Sequence, residues 1–239
     1  EIFRSYFYDA KKNKARSRLG TIVYLLLFAL LMLGVIGGIF TFLAKSLCGA
    51  LAEAGMDWLY FTLMGLMAIL LGTFGSVFNT YSGLYLARDN DLLLSLPIPV
   101  RAIMTARLLG VYLMGLMYSG VVILPAVIVY WCTVSASPGA VAGGLVLTLM
   151  ISLLVLTLSC ALGWVVARIS LKLKNKSFIT VLVSLVFFGA YYFFYFKAQS
   201  LLRELLLHAA EYGARIKSAA YPLYVFGQAG TGDGASMAI

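Results

Sequence analysis

At 239 residues, 62% hydrophobic and 11% charged, with mean hydropathy +0.98, the chain carries more apolar surface than a soluble fold can hide. An average soluble domain is roughly 25% charged. The net charge of +9 would suggest nucleic acid in a soluble protein, but here it follows from loop asymmetry across a membrane, and nucleic acid is excluded as a partner.

Residues 1–19 form a basic segment with Arg4, Lys11, Lys12, Lys14, Arg16 and Arg18 against Glu1 and Asp9. Ile2, Phe3, Tyr6 and Phe7 have helical spacing with aromatics on one side, suited to an interfacial position, although a solvated basic flank fits as well. No secretory signal pattern opens the chain. A new apolar run can begin at Ser236-Met237-Ala238-Ile239, so a longer polypeptide is expected.

Residues 20–199 read as a transmembrane bundle, since about 20 apolar residues cross a bilayer. The first crossing is expected from Gly20 to Leu43, with Gly34 and Gly38 at GxxxG spacing for close helix packing. A short loop, Lys45 to Asp57, follows. The second crossing, Trp58 to Leu86, is longer than a bilayer needs and must tilt, break or project. Ala68, Gly72, Ser76 and Thr80 form a small-residue stripe along it, read as a packing seam.

The third crossing, Ile103 to Trp131, should kink at Pro125. A chargeless turn, Ser135 to Gly139, precedes the fourth, Ala140 to Ala167, and Ser159, Gly163 and Ala167 are its small stripe. A basic loop, Arg168 to Ser177, leads to a fifth crossing, Phe178 to Phe196, ending in the aromatic belt Tyr191 to Phe196. Residues 200–239 are expected outside the cytoplasm. There Leu201 to Lys217 has the pattern of an amphipathic helix and Tyr221 to Gly234, rich in glycine, reads as loop.

The amino terminus, the polar island between crossings two and three with its flanks (Arg88, Arg101 and Arg107), and the Arg168 to Lys176 loop hold 13 of the 18 lysines and arginines. The positive-inside rule then makes the amino terminus cytoplasmic. The expected fold is an all-α polytopic transmembrane helix bundle with five crossings visible and a sixth possible at the carboxy-terminal end.

The cytoplasmic segment 88–101 is a polar island between two crossings. Read as a helix, Leu92, Leu93 and Leu96 share one side, Arg88, Asp91 and Ser95 the other, and Leu94 stands apart. Asp89 or Asn90 can cap its start, Pro97 ends it, and Pro99 suits the first turn of the next helix. Two helices meeting at a proline corner on the membrane surface make a docking shape for a soluble partner.

No crossing holds an ionisable group well inside it, which disfavours proton relays, ion-coupled transport and intramembrane hydrolysis. His208 is the only histidine and has no second histidine for metal or base catalysis. Cys48, Cys132 and Cys160 show no CxxC or Cys/His spacing. Cys48 and Cys132 fall near one face, where a disulfide is conceivable, but the expected role is apolar filling. There is no P-loop pattern, so any energy from ATP comes through another chain.

Around the island the sequence resembles the membrane subunits of type-2 ATP-binding cassette (ABC) exporters. Their first cytoplasmic loop has an acidic start, then Leu-Leu-x-x-Leu-Pro-hydrophobic, then a helix with a basic residue. Asp89, Asp91, Leu92, Leu93, Leu96, Pro97 and Ile98 stand at those places, and Arg107 stands where lysine is usual. The acid-x-Gly step of that loop is replaced by Asn90 and Asp91.

The resemblance implies a bacterial plasma-membrane permease without cofactors of its own. A separate cytoplasmic ATPase carries ATP and Mg and docks on Asp89, Asp91, Leu94, Pro97, Ile98 and Arg101. Leu94 and Ile98 would be the apolar anchors, with Asp89, Asp91 and Arg101 as rim charges. A second permease half or a second copy, and membrane lipid, are the other expected partners. The competing expectation is a sensor or immunity subunit that binds a peptide through the Leu201 to Lys217 helix without transport.

Overall fold

In lipid no water satisfies backbone N–H and C=O groups, so long apolar stretches fold as helices. The structure, a computed structural model, describes residues 8–9, 14–15, 22–23, 26–27, 30–85, 99–134, 137–172, 185, 189, 192–193, 197, 217 and 220–234. Four helices among them are long and apolar enough to cross a membrane: Leu33–Glu53, Asp57–Tyr85, Val100–Val134 and Pro138–Ile169. The chain is a helical membrane protein. Near the amino terminus a two-residue antiparallel pair joins Tyr8–Asp9 to Lys14–Ala15.

A π-helical entry, Leu30–Ile36, leads into α1 (Gly37–Glu53). α2 (Asp57–Thr80) is prolonged by a π turn, Tyr81–Tyr85. α3 (Val100–Val134), α4 (Pro138–Lys172) and a short α5 (Tyr221–Thr231) complete the described elements. α2 is central, packing against α1, α3, α4 and α5, while α1 leans mainly on α3. Tyr60, Phe61, Met64 and Ala68 of α2 form the core with Leu47 and Leu51 of α1, Val122 and Ala126 of α3, and Leu147, Ile151 and Val155 of α4. Leu70, Phe74, Leu113, Leu124, Leu149 and Leu153 are exposed, as the lipid-facing sides of a bundle are.

Several boundaries differ from the sequence reading. α1 does not stop at Leu43. The expected loop Lys45 to Asp57 is helical through Glu53, and only Ala54–Met56 turns, with Gly55 at φ 67°. Ala44, Leu47, Cys48 and Leu51 are buried while Lys45 is exposed. A single cation on an outward face does not end a helix, because its apolar stem can lie along the surface.

α3 exceeds its expected bounds by three residues at each end and stays helical across Pro125. Pro99 stands just ahead of it rather than in its first turn, its carbonyl accepting from Ala102 N at 2.9 Å. α4 starts at Pro138, two residues early. Ser137 Oγ accepts from Ala140 N at 3.1 Å, an N-cap with proline in the first turn. α4 then runs to Lys172, one turn into the expected basic loop. All three cysteines are free. The Phe178 to Phe196 crossing and the Leu201 to Lys217 helix lie almost wholly outside the described residues.

The largest correction concerns Tyr221 to Gly234. Its glycines do not make a loop: residues 221–231 form α5, with Pro222 in the first turn and Gly232 as a left-handed C-cap at φ 95°. The glycines instead permit backbone contact. A Cβ on Gly227 would overlap the Trp58 carbonyl oxygen and Thr62 Oγ1, and one on Gly230 would lie 2.5 Å from the Phe61 ring. On the facing helix, a Cβ on Gly143 would overlap the Ala229 carbonyl oxygen. Thr62 Oγ1 also donates to Leu223 O at 3.1 Å, and Trp58 meets Tyr224 edge-on at 4.9 Å.

Gly227→Ala should therefore lower stability by about 1–3 kcal/mol through overpacking. Gly38→Ala, which meets nothing within 4 Å, should be neutral or gain up to about 1 kcal/mol from helix propensity. Thermal unfolding of the two variants in detergent checks both expectations.

Candidate functional site

The two ends of the bundle differ chemically. One end joins α1 to α2, holds the α3–α4 hairpin and seats α5. Tyr130 OH donates to Asp57 Oδ2 at 3.2 Å, and Tyr60 OH donates to Ala126 O at 2.8 Å. Phe61 packs edge-on to both tyrosines, with centroids 5.2 Å from Tyr60 and 4.7 Å from Tyr130. Asp57 opens α2, where the helix dipole favours an acid. Its Oδ1 is buried with no hydrogen-bond partner among the described residues. Trp131 Nε1 closes the hairpin by donating to Ala140 O at 3.2 Å.

The opposite end is where the chain leaves α2 for the polar island and re-enters at α3. Of the expected docking residues, Asp89, Asp91, Leu94, Pro97 and Ile98 lie outside the described residues. Arg101 is exposed in the first turn of α3, and its carbonyl accepts from Thr105 Oγ1. Both flanks of the island are held. Arg107 Nη1 donates to Gly83 O at 3.2 Å, placing a cation on the carbonyl-rich end of α2. Tyr85 OH donates to Cys160 O of α4 at 3.0 Å. Gly163 makes room for this: a Cβ there would lie 3.2 Å from Tyr85 and from Thr80. Nearby, the Arg168 guanidinium stands 5.2 Å over the Trp164 ring, a pairing suited to a membrane interface.

The sequence marks Arg107 by its charge and by the resemblance, but no pattern in it pairs Arg107 with Gly83 or Tyr85 with Cys160. One signal was available: an arginine near the start of an apolar helix must find an acceptor or reach the interface.

Of the packing residues, Ala68, Gly72 and Ser76 are buried along α2. A Cβ on Gly72 would lie 2.9 Å from Ser119 Cβ and from Val155 Cγ2, so this position brings α3 and α4 against the α2 backbone. Gly34 and Gly38 are exposed, with nothing within 4 Å of an added Cβ; any close packing they serve involves atoms beyond the described residues. The buried hydroxyls of Ser76, Thr80 and Ser119 donate to carbonyls of their own helices. Tyr112 and Ser152 instead bond across α3 and α4 at 3.0 Å. Among the described residues no group of three His, Cys, Asp or Glu side chains could hold a metal ion.

This arrangement defines the class as a helical membrane protein with a packed interior and two chemically distinct ends. Compared with protein-family models, with curated proteins and with solved structures, the chain matches none.

Gly72→Leu should disrupt the α2–α3–α4 contact, costing about 1–3 kcal/mol or preventing folding. Gly83→Ala, whose added Cβ would meet nothing within 4 Å, should leave stability within about 0.5 kcal/mol. Yield of monodisperse protein and thermal unfolding distinguish the two variants.

Proposed function

We propose that this chain is a transmembrane permease subunit of a bacterial ABC exporter, acting in the plasma membrane with its amino terminus in the cytoplasm. A separate cytoplasmic ATPase, carrying ATP and Mg, docks on the 88–101 segment. The partner across the membrane is a second permease half or a second copy. The cargo is amphipathic or lipid-like, or a peptide, and membrane lipid surrounds the bundle.

One observation carries this reading. The polar island connects two apolar membrane helices, α2 and α3, whose ends are tied by Arg107 and Tyr85 to each other and to α4. Force applied to a segment with anchored flanks reaches three helices at once. A segment with free flanks would absorb it. The sequence of the island supplies the chemistry for docking: acids at its start, leucines along it and a proline corner.

The mechanism then needs two states. ATP-driven closure of paired ATPases moves the docked segment, and the bundle changes access only if contacts in the two states differ. This chain contributes the docking surface and the path that transmits the movement, and the ATPase contributes hydrolysis.

The test is purification from native membranes in mild detergent, with ATP hydrolysis assayed on the co-purifying protein. Asp91→Lys combined with Leu94→Asp should reduce the captured ATPase at least about tenfold, as loss of an interface anchor does, with unchanged thermal unfolding. Undiminished capture by that double variant would remove the segment as the docking site. No captured ATPase from a folded bundle would overturn the exporter reading and favour a peptide-binding subunit.

A further inference from the structure

At its loop end α2 does not stay α-helical. Tyr81–Tyr85 adopts i→i+5 bonding, which adds one residue to a turn, and such π turns are held only where surroundings favour them. Two side-chain bonds tie this one to other helices, besides the bond Ser82 Oγ donates to Asn79 O at 3.2 Å within α2. Arg107 of α3 caps the Gly83 carbonyl at 3.2 Å, and Tyr85, the last residue of the turn, reaches the Cys160 carbonyl of α4 at 3.0 Å. Tyr85 is 37% exposed, and an added Cβ on Gly83 would meet nothing within 4 Å. Just before it, Thr80 is fully buried against α4 beside Gly163.

We propose that Tyr81–Tyr85 is a switching joint between π and α bonding, and that Arg107 and Tyr85 are the positioning residues that hold its π form. Return to α bonding removes the extra residue. Everything beyond the turn then rotates by about 100° and shifts by about 1.5 Å along the axis. Tyr85 leaves Cys160 and Gly83 leaves Arg107, so both bonds exist in one state only. That is the differential contact a two-state transmission requires. The joint lies three residues from the docking segment, so its role in coupling rests on the exporter reading, whereas its mechanics do not.

Hydrogen–deuterium exchange on the full chain in detergent tests the mechanics without any ATPase. Arg107→Gln and Tyr85→Phe should each speed exchange across residues 81–85 about fivefold, the effect of losing one hydrogen bond. Residues 62–76 of α2 should not change. Arg107→Lys, which keeps a cationic donor, should restore most of the protection. Unchanged exchange at 81–85 in both variants, or equal loosening along the whole of α2, overturns the proposal. In the complex with the captured ATPase, adding ATP should alter exchange at 81–85 in the native chain and not in the Tyr85→Phe, Arg107→Gln double variant. If ATP leaves these residues unaffected while the ATPase is bound, the joint fails and the exporter reading stands. If no ATPase is captured but the single variants loosen 81–85, the positioning bonds stand without the exporter reading.

Discussion

The structure depends on how closely other helices approach the backbone of α2. In lipid there is no hydrophobic gain from bringing one apolar helix against another, so association rests on close packing. Gly65, Ala68, Gly72, Ser76 and Thr80 lie along one side of α2, all of them buried. Phe226 of α5 fills the space over Gly65, Ser119 of α3 and Val155 of α4 meet at Gly72, and Gly163 of α4 faces Thr80. A larger side chain on this line would push apart helices that meet there at contact distance.

α5 extends the same principle with a short helix. At 11 residues, about 16 Å, it cannot cross a bilayer, and it makes up for that by backbone contact through Gly227 and Gly230. It sits where α2 begins and α4 begins, its Tyr224 against Trp58 and its Gly230 against Phe61. The hairpin end is tied by Tyr130 to Asp57, Tyr60 to Ala126, and Trp131 to Ala140. The loop end has two long side-chain ties and a π turn. A bundle firm at one end and adjustable at the other is suited to respond to a push on the adjustable end, in keeping with the proposed role.

The described hydroxyls sharpen the picture of the interior. Most donate to carbonyls one turn back in their own helix, which satisfies them without binding anything else. The buried face of α2 is therefore a packing surface. Charge and long polar reach lie toward the ends, at Arg107, Tyr85 and Asp57.

The sequence by itself determined that this is a helical membrane protein, where α2, α3 and α4 run to within a few residues, and that its polar island stands between α2 and α3. These follow from hydropathy and length, which act residue by residue. It also marked Ala68, Gly72 and Ser76 as a stripe, because a four-residue spacing puts them on one face whatever lies opposite. The tertiary structure decided what no local pattern encodes. The glycines of residues 227–232 could equally have made a flexible loop, and only the facing Trp58, Thr62 and Gly143 turn them into a helix contact surface. Lys45 could have ended α1, and only the burial of its neighbours on the opposite face carries the helix past it. Arg107 could have served any nearby acceptor. Its pairing with Gly83 arises because a π turn at the end of α2 presents a carbonyl there, and bonds between residues 24 positions apart depend on how helices meet.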